Sequence, residues 1–158
     1  MQPVAEVALE IDAPLARVWQ IMLDLPNYAA WNPFIVRATC DGPLAVGAML
    51  RLQVRWRERG GARSDEIVTE LTSPGVDGGS ARFVYRFAGP LHTLVLVRAI
   101  RTQQLDDLGN GRTRNSSHEE FCGLLARFVP LARVQDGFVR HAAALKAHAE
   151  AGMKHHRP

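Results

Sequence analysis

Ser116-Ser117-His118-Glu119 carries the side-chain types of a nucleophile, a base and an acid within one short run. The run lies in a β-rich stretch at about 112 to 122, where neighbouring side chains point to opposite faces. Ser117 and His118 therefore cannot meet as nucleophile and base, and the apparent triad is spurious. Alternate positions remain: Asn115, Ser117 and Glu119 share one face. The preceding Gly109-Asn110-Gly111 suits a three-residue hairpin loop, because glycine and asparagine accept positive φ. Such a loop pairs Leu108 with Arg112, Leu105 with Asn115, Gln103 with Ser117 and Arg101 with Glu119. The hairpin thus gathers a guanidinium, a carboxyl, an amide and a hydroxyl. His141, in a later helical pattern, adds an imidazole whose ordinary pKa suits proton transfer near neutral pH.

Other chemistry is not indicated. There is no Gly-rich phosphate loop and no His and carboxylate spacing of a metal site, so no metal and no cofactor are expected. His155-His156 lies in a terminal tail where adventitious metal binding is the plain reading. Cys40 and Cys122 fit neither a CxxC pair nor a disulfide framework and read as free thiols. The densest basic stretch, Arg51, Arg55, Arg57, Arg59 and Arg63, follows one hairpin, where such charges form a solvated strand face more often than a phosphate track. With a net charge of only +3, nucleic acid is not expected as a partner.

The elements that must position these residues follow from periodicity. Residues 4 to 11 alternate, with Ala5, Val7, Leu9 and Ile11 on one side. Asp12-Ala13-Pro14 stops that strand, with Asp12 placed to cap a helix and Pro14 suited to its first turn. This helix brings Val18, Trp19, Met22 and Leu25 to the core, and a second short helical turn spans the prolines between Leu25 and Pro33. Phe34, Val36, Ala38 and Cys40 then alternate, as do Leu50, Leu52, Val54 and Trp56. Further β-rich runs are expected at about 65 to 72, 80 to 88, 93 to 106 and 112 to 122, separated by Gly, Pro, Asn and Asp turns. From Pro130 the pattern is helical, with Val134, Phe138, His141, Leu145 and His148 on one stripe to about Gly152. The basic Lys154-His155-His156-Arg157 end suits that helix's C-terminus.

The expected fold is α+β: a curved seven-stranded antiparallel sheet wrapped around a long C-terminal helix, with two short helices between strands 1 and 2. Residues 1–152 read as one ligand-binding domain and 153–158 as a basic tail, in a chain of 158 residues that is 47% apolar. The N-terminus has no basic region followed by an apolar one, and no apolar run is long enough to span a bilayer; a cytoplasmic location, as monomer or homodimer, is expected.

The element order resembles the polyketide cyclase/dehydratase-like branch of the START-related helix-grip superfamily, often called SRPBCC. The residues carrying the likeness are Ile11-Asp12-Ala13-Pro14, the stretch Asp24 to Phe34 ending Trp31-Asn32-Pro33-Phe34, and Gly109-Asn110-Gly111-Arg112-Thr113 through Glu119-Glu120-Phe121-Cys122-Gly123. The resemblance implies a deep apolar cavity and an activity anywhere between ligand carriage and cyclisation. It also implies that Phe121 faces inward, which by period 2 turns Arg101, Gln103, Asn115, Ser117 and Glu119 inward too. Several of these positions depart from the family's usual His, Phe or Thr.

Two placements stay open. Arg101, Gln103, Ser117, Glu119 and His141 form a polar end of the pocket, with Arg101 paired to Glu119 or to a ligand; or that end is open to solvent and holds an ordinary cross-strand ion pair. Strand parity assigns apolar walls to Phe34, Val36, Leu52, Val54, Trp56, Ile67, Leu71, Phe83, Tyr85, Phe87, Val97, Phe121 and Phe138, with Trp31, Trp56 and Tyr85 the best placed to touch a ligand. The expected function is binding of a small apolar or amphipathic molecule such as a lipid, polyketide or aromatic metabolite. The alternatives are a cyclase or dehydratase using Glu119 or His141 as general base with Arg101 stabilising an enolate, and a partner-binding module using the hairpin at 51–63.

Overall fold

A computed structural model describes residues 2–76, 79–89 and 96–154. The expected turn at Asp77-Gly78, the start of the run at 93 to 106 and the tail from His155 lie outside the described residues. The elements are β1 (Val4–Ile11), α1 (Leu15–Leu23), a 3-10 turn (Leu25–Asn27), α2 (Tyr28–Trp31), β2 (Ile35–Cys40), β3 (Met49–Arg55), β4 (Gly61–Thr72), β5 (Ser80–Phe87), β6 (Arg98–Gly109), β7 (Arg112–Cys122), a 3-10 turn (Ala126–Phe128) and α3 (Leu131–Lys154). The strands form one antiparallel, curved, seven-stranded sheet in the order β1-β7-β6-β5-β4-β3-β2. This is the helix-grip α+β architecture.

The concave face of the sheet is apolar and must be covered. Helix α3 covers it with Val134, Phe138, His141, Ala142, Leu145 and Ala149, all buried. Burying each large apolar side chain contributes on the order of 1.5–3 kcal/mol. Polar contacts set the helix's direction along the edge strand: Gln135 Nε2 donates to the Glu6 carbonyl at 2.7 Å, and Lys146 Nζ to the Glu10 carbonyl at 2.8 Å. Further on, the Asp12 amide donates to Glu150 Oε1 at 2.8 Å. Helix α3 therefore runs parallel to β1. Among the described residues no helix is long and apolar enough to cross a membrane.

Several local expectations are corrected. Asp12 does not cap α1; Pro14 occupies the cap position with no side-chain cap, and its carbonyl accepts from Arg17 and Val18 amides at 3.0 and 3.2 Å. The β6–β7 loop has two residues, because Gly109 pairs with Arg112 and the ladder shifts between Asp107 and Gly109. Asn110 and Gly111 both take positive φ, 53° and 70°, the sign demanded by the tight turn that matches strand twist. Irregularities also shift parity in β2, between Ile35 and Arg37, and in β4, between Val68 and Glu70. Ile35 rather than Val36 is therefore buried in β2, and Glu66 and Val68 rather than Ile67 in β4. Helix α3 continues to Lys154, and His148 is exposed on its flank.

Candidate functional site

The strongly bent sheet and the single helix leave a cavity of about 290 Å³ between them, near the lower end of the roughly 300–1,000 Å³ usual for small-molecule sites. Its aromatic wall is Phe34, Trp56, Tyr85, Phe87, Phe121 and Phe138, and aliphatic residues including Leu52, Val54, Val97, Val129 and Val134 add to the apolar lining. One end is polar, built from Ser64, Glu66, Arg101 and Glu119.

Arg101 is 4% exposed. Its β6 position faces Tyr85 on one neighbouring strand and Glu119 on the other. The guanidinium carbon lies 4.0 Å from the Phe138 ring centroid, and Nε donates to Ser117 Oγ at 3.2 Å. Tyr85 shares a further hydrogen bond with it. Nη2 is buried with no hydrogen-bond partner among the described residues. Of the two partners open to Arg101, Glu119 is not taken up: the two are register partners and their charges attract, but no salt bridge or hydrogen bond joins them. The arrangement leaves one strong donor of a cavity-lining residue without an acceptor.

The carboxyls are perturbed in a consistent sense. Burial pushes Glu66 up to about 8, helped by Glu119 and opposed by the Ser64 hydroxyl and Arg101. Burial raises Glu119 to about 7, with Arg101 opposing. One guanidinium cannot neutralise two buried carboxylates, so the group retains a proton near neutral pH. Burial likewise raises the Tyr85 phenol to about 12, keeping it a neutral donor and acceptor.

His141 lies elsewhere. It is 1% exposed and does not line the cavity; its ring packs among Tyr28 and Trp31. Its Nδ1 is 2.8 Å from Asn32 Nδ2. Asn32 Oδ1 accepts from the Phe34 and Ile35 amides, both at 3.0 Å, so its NH₂ group faces the imidazole. Nδ1 must then accept, which leaves the ring proton on Nε2. Burial, reinforced by Arg101, holds the imidazole well below its ordinary range and neutral.

The structure thus gathers Phe34, Trp56, Tyr85, Arg101, Glu119, Phe121 and Phe138 around one space. Others of the expected set stand behind it: Ser117 under Arg101, Gln103 donating to the Tyr85 hydroxyl at 3.3 Å, and Phe83 with its ring centroid 5.0 Å from that of Tyr85. Trp31 sits apart, stacked on His148. Two arginines of the basic hairpin are matched by acids, Arg51 to Asp41 and Arg57 to Asp136, each at 2.6 Å. Glu66 was not singled out from the sequence. Counting from the Arg59-Gly60-Gly61 turn would have found it, since Arg55 pairs with Gly61 and hence Leu50 with Glu66. Cys40 and Cys122 are free, and among the described residues no three His, Cys, Asp or Glu side chains converge as a metal site requires.

Comparison with solved structures finds the same fold widely. The Zhui aromatase/cyclase from a Streptomyces species superposes with a TM-score of 0.74 at 17% identity, over 95% of this chain and 94% of that one. A hypothetical protein from Helicobacter pylori gives 0.73 at 15% identity, over 92% and 87%. Norcoclaurine synthase from Thalictrum flavum, in complex with dopamine and hydroxybenzaldehyde, gives 0.68 at 12% identity, over 100% and 90%. A sequence comparison with curated proteins gives no match. The sequence itself matches the family described as polyketide cyclase / dehydrase and lipid transport over residues 2–150, and the chain belongs to that family.

Proposed function

We propose that this protein binds an apolar or amphipathic small molecule in the cavity between the sheet and α3, with an oxygen acceptor of that molecule seated on Arg101 Nη2. The observation that carries the reading is the buried, unpartnered guanidinium nitrogen at the one polar end of an aromatic-walled space. A donor left unsatisfied in the interior costs free energy that a ligand carbonyl, carboxylate or phenolate would recover. Family membership supports the same class of ligand. The test is native mass spectrometry of the purified protein, with thermal shift against bicyclic aromatic ketones, phenols and carboxylates. Ligands carrying the oxygen should raise the melting temperature of the wild type more than that of Arg101→Met. Equal shifts in both proteins would remove the anchor, and no shift from any compound would remove the binding reading.

A second reading is supported by the two carboxyls. With Glu66 at about 8 and Glu119 at about 7, both exchange protons near neutral pH beside a guanidinium that would stabilise an enolate oxygen. That is the equipment of a cyclase or dehydratase, with Glu119 rather than His141 as the base. Unchanged turnover in both Glu119→Gln and Glu66→Gln, on a substrate found in the screen, would exclude it.

A further inference from the structure

The two rungs of the β6–β7 ladder beyond Arg101 also turn polar side chains inward: Gln103 opposite Ser117, then Asn115 opposite Leu105. Gln103 and Asn115 are 1% exposed and Ser117 is 3% exposed. A polar layer this deep is costly unless each atom finds a partner. Gln103 Nε2 has one in the Tyr85 hydroxyl, and Ser117 Oγ accepts from Arg101. Gln103 Oε1 and both amide atoms of Asn115 have none among the described residues.

The helix brings a third orphan to the same level. Because α3 runs parallel to β1 with Gln135 on Glu6 and Lys146 on Glu10, the helix between them spans Val7 to Leu9. Val7 and Leu9 are the β1 partners of Ser117 and Asn115. His141 lies in that span. The ring nitrogens of an imidazole diverge, so with Nδ1 on Asn32 its Nε2 is turned away from α2; it too is buried and without a partner among the described residues.

The inventory is specific. His141 Nε2–H and Asn115 Nδ2 donate; Gln103 Oε1 and Asn115 Oδ1 accept. None of these groups is charged. A carboxylate has no proton for the two acceptors, a phosphate would bury a charge with no cation among these three residues, and an ammonium has no lone pair for the imidazole N–H. A neutral hydroxyl-type oxygen satisfies both kinds. We propose that Gln103, Asn115 and His141 form an internal site for such an oxygen, behind the Tyr85 and Arg101 that line the cavity. Solvent water and a hydroxyl of a bound molecule share this chemistry, and the site does not depend on the ligand reading above.

The test begins with isotope-labelled protein. Cross-relaxation between water and the side-chain amide protons of Gln103 and Asn115, and ring-nitrogen shifts of the Nε2–H tautomer of His141, are expected. Absence of the water contacts, or an Nδ1–H tautomer, overturns the proposal. Repeating the measurement with 2-naphthol and naphthalene separates the sources: loss of the water contacts with 2-naphthol alone assigns the oxygen to a ligand hydroxyl, and persistence with both assigns it to resident water. Stability gives an independent readout. Asn115→Leu and Gln103→Met keep volume and remove the polar atoms, so each should lower the melting temperature by roughly 3–8 °C if an oxygen is held there. The double variant should lose less than the two single losses combined, because they share that oxygen. A rise in melting temperature in both variants would mean a dry layer and would refute the site.

Discussion

Replacing Glu66 with glutamine should raise stability at alkaline pH and change it little near about pH 4.5, where the carboxyl is largely protonated in the folded state. The folded carboxyl sits at about 8 against an ordinary 4.5, so between those values the native state holds a proton that the unfolded chain has released. Stability must then fall as pH rises through that window and level off above about 8. At about 1.4 kcal/mol per pH unit, the wild type carries a penalty of about 3 kcal/mol at pH 7 and up to about 5 kcal/mol when Glu66 is fully ionised. Glutamine keeps the size and cannot ionise. Removing the neighbouring charge also relieves Glu119, so the variant's remaining slope should be shallow. Urea denaturation followed by tryptophan fluorescence from about pH 5 to 8.5 should give Glu66→Gln an advantage that grows to about 4–5 kcal/mol at the upper end, about 10–18 °C in melting temperature. Parallel profiles for the two proteins would refute both the burial of the carboxyl and its shared proton with Glu119.

Two substitutions probe the frame around the site. A Cβ at Gly137 would press on the Phe34 ring, 2.6 Å from Cζ, so Gly137→Ala should cost about 1–2 kcal/mol despite its gain of about 1 kcal/mol in helix propensity. Because Phe34 lines the cavity, thermal shift should also find ligand binding weakened. Asn110→Ala places an alanine at φ 53° and should lower stability by about 1 kcal/mol, or about 2–4 °C by calorimetry, without altering the Arg101 and Glu119 register, which the longer ladder holds.

Much of the site was legible because it is local. The Gly109-Asn110-Gly111 turn and strict alternation were enough to bring Arg101 opposite Glu119 and Gln103 opposite Ser117, even though the loop proved one residue shorter than expected. The shift between Asp107 and Gly109 compensated for that difference. The 3.6-residue stripe likewise brought Phe138 and His141 to the interior. Parity is interrupted at Val36 and Thr69 without any sign in the alternation of side chains, so uninterrupted alternation turns Val36 and Ile67 inward where the structure buries Ile35, Glu66 and Val68. Such bulges add one residue to a strand and re-aim the side chains beyond it.

Element order, the hairpin that carries the polar end and the apolar character of the walls can be read from residue spacing alone, because each follows from one or two neighbouring elements. What the polar groups do depends on packing between segments far apart in the chain. Arg101 keeps a free donor because it rests on Phe138 and Ser117 instead of reaching Glu119. His141, which by its pKa and helix face could have been a base, is taken up by Asn32, a residue 109 positions away. Hydrogen-bond partners and burial are set by which distant segments pack together, and these decide the proton position of the buried groups Glu66, Glu119 and His141.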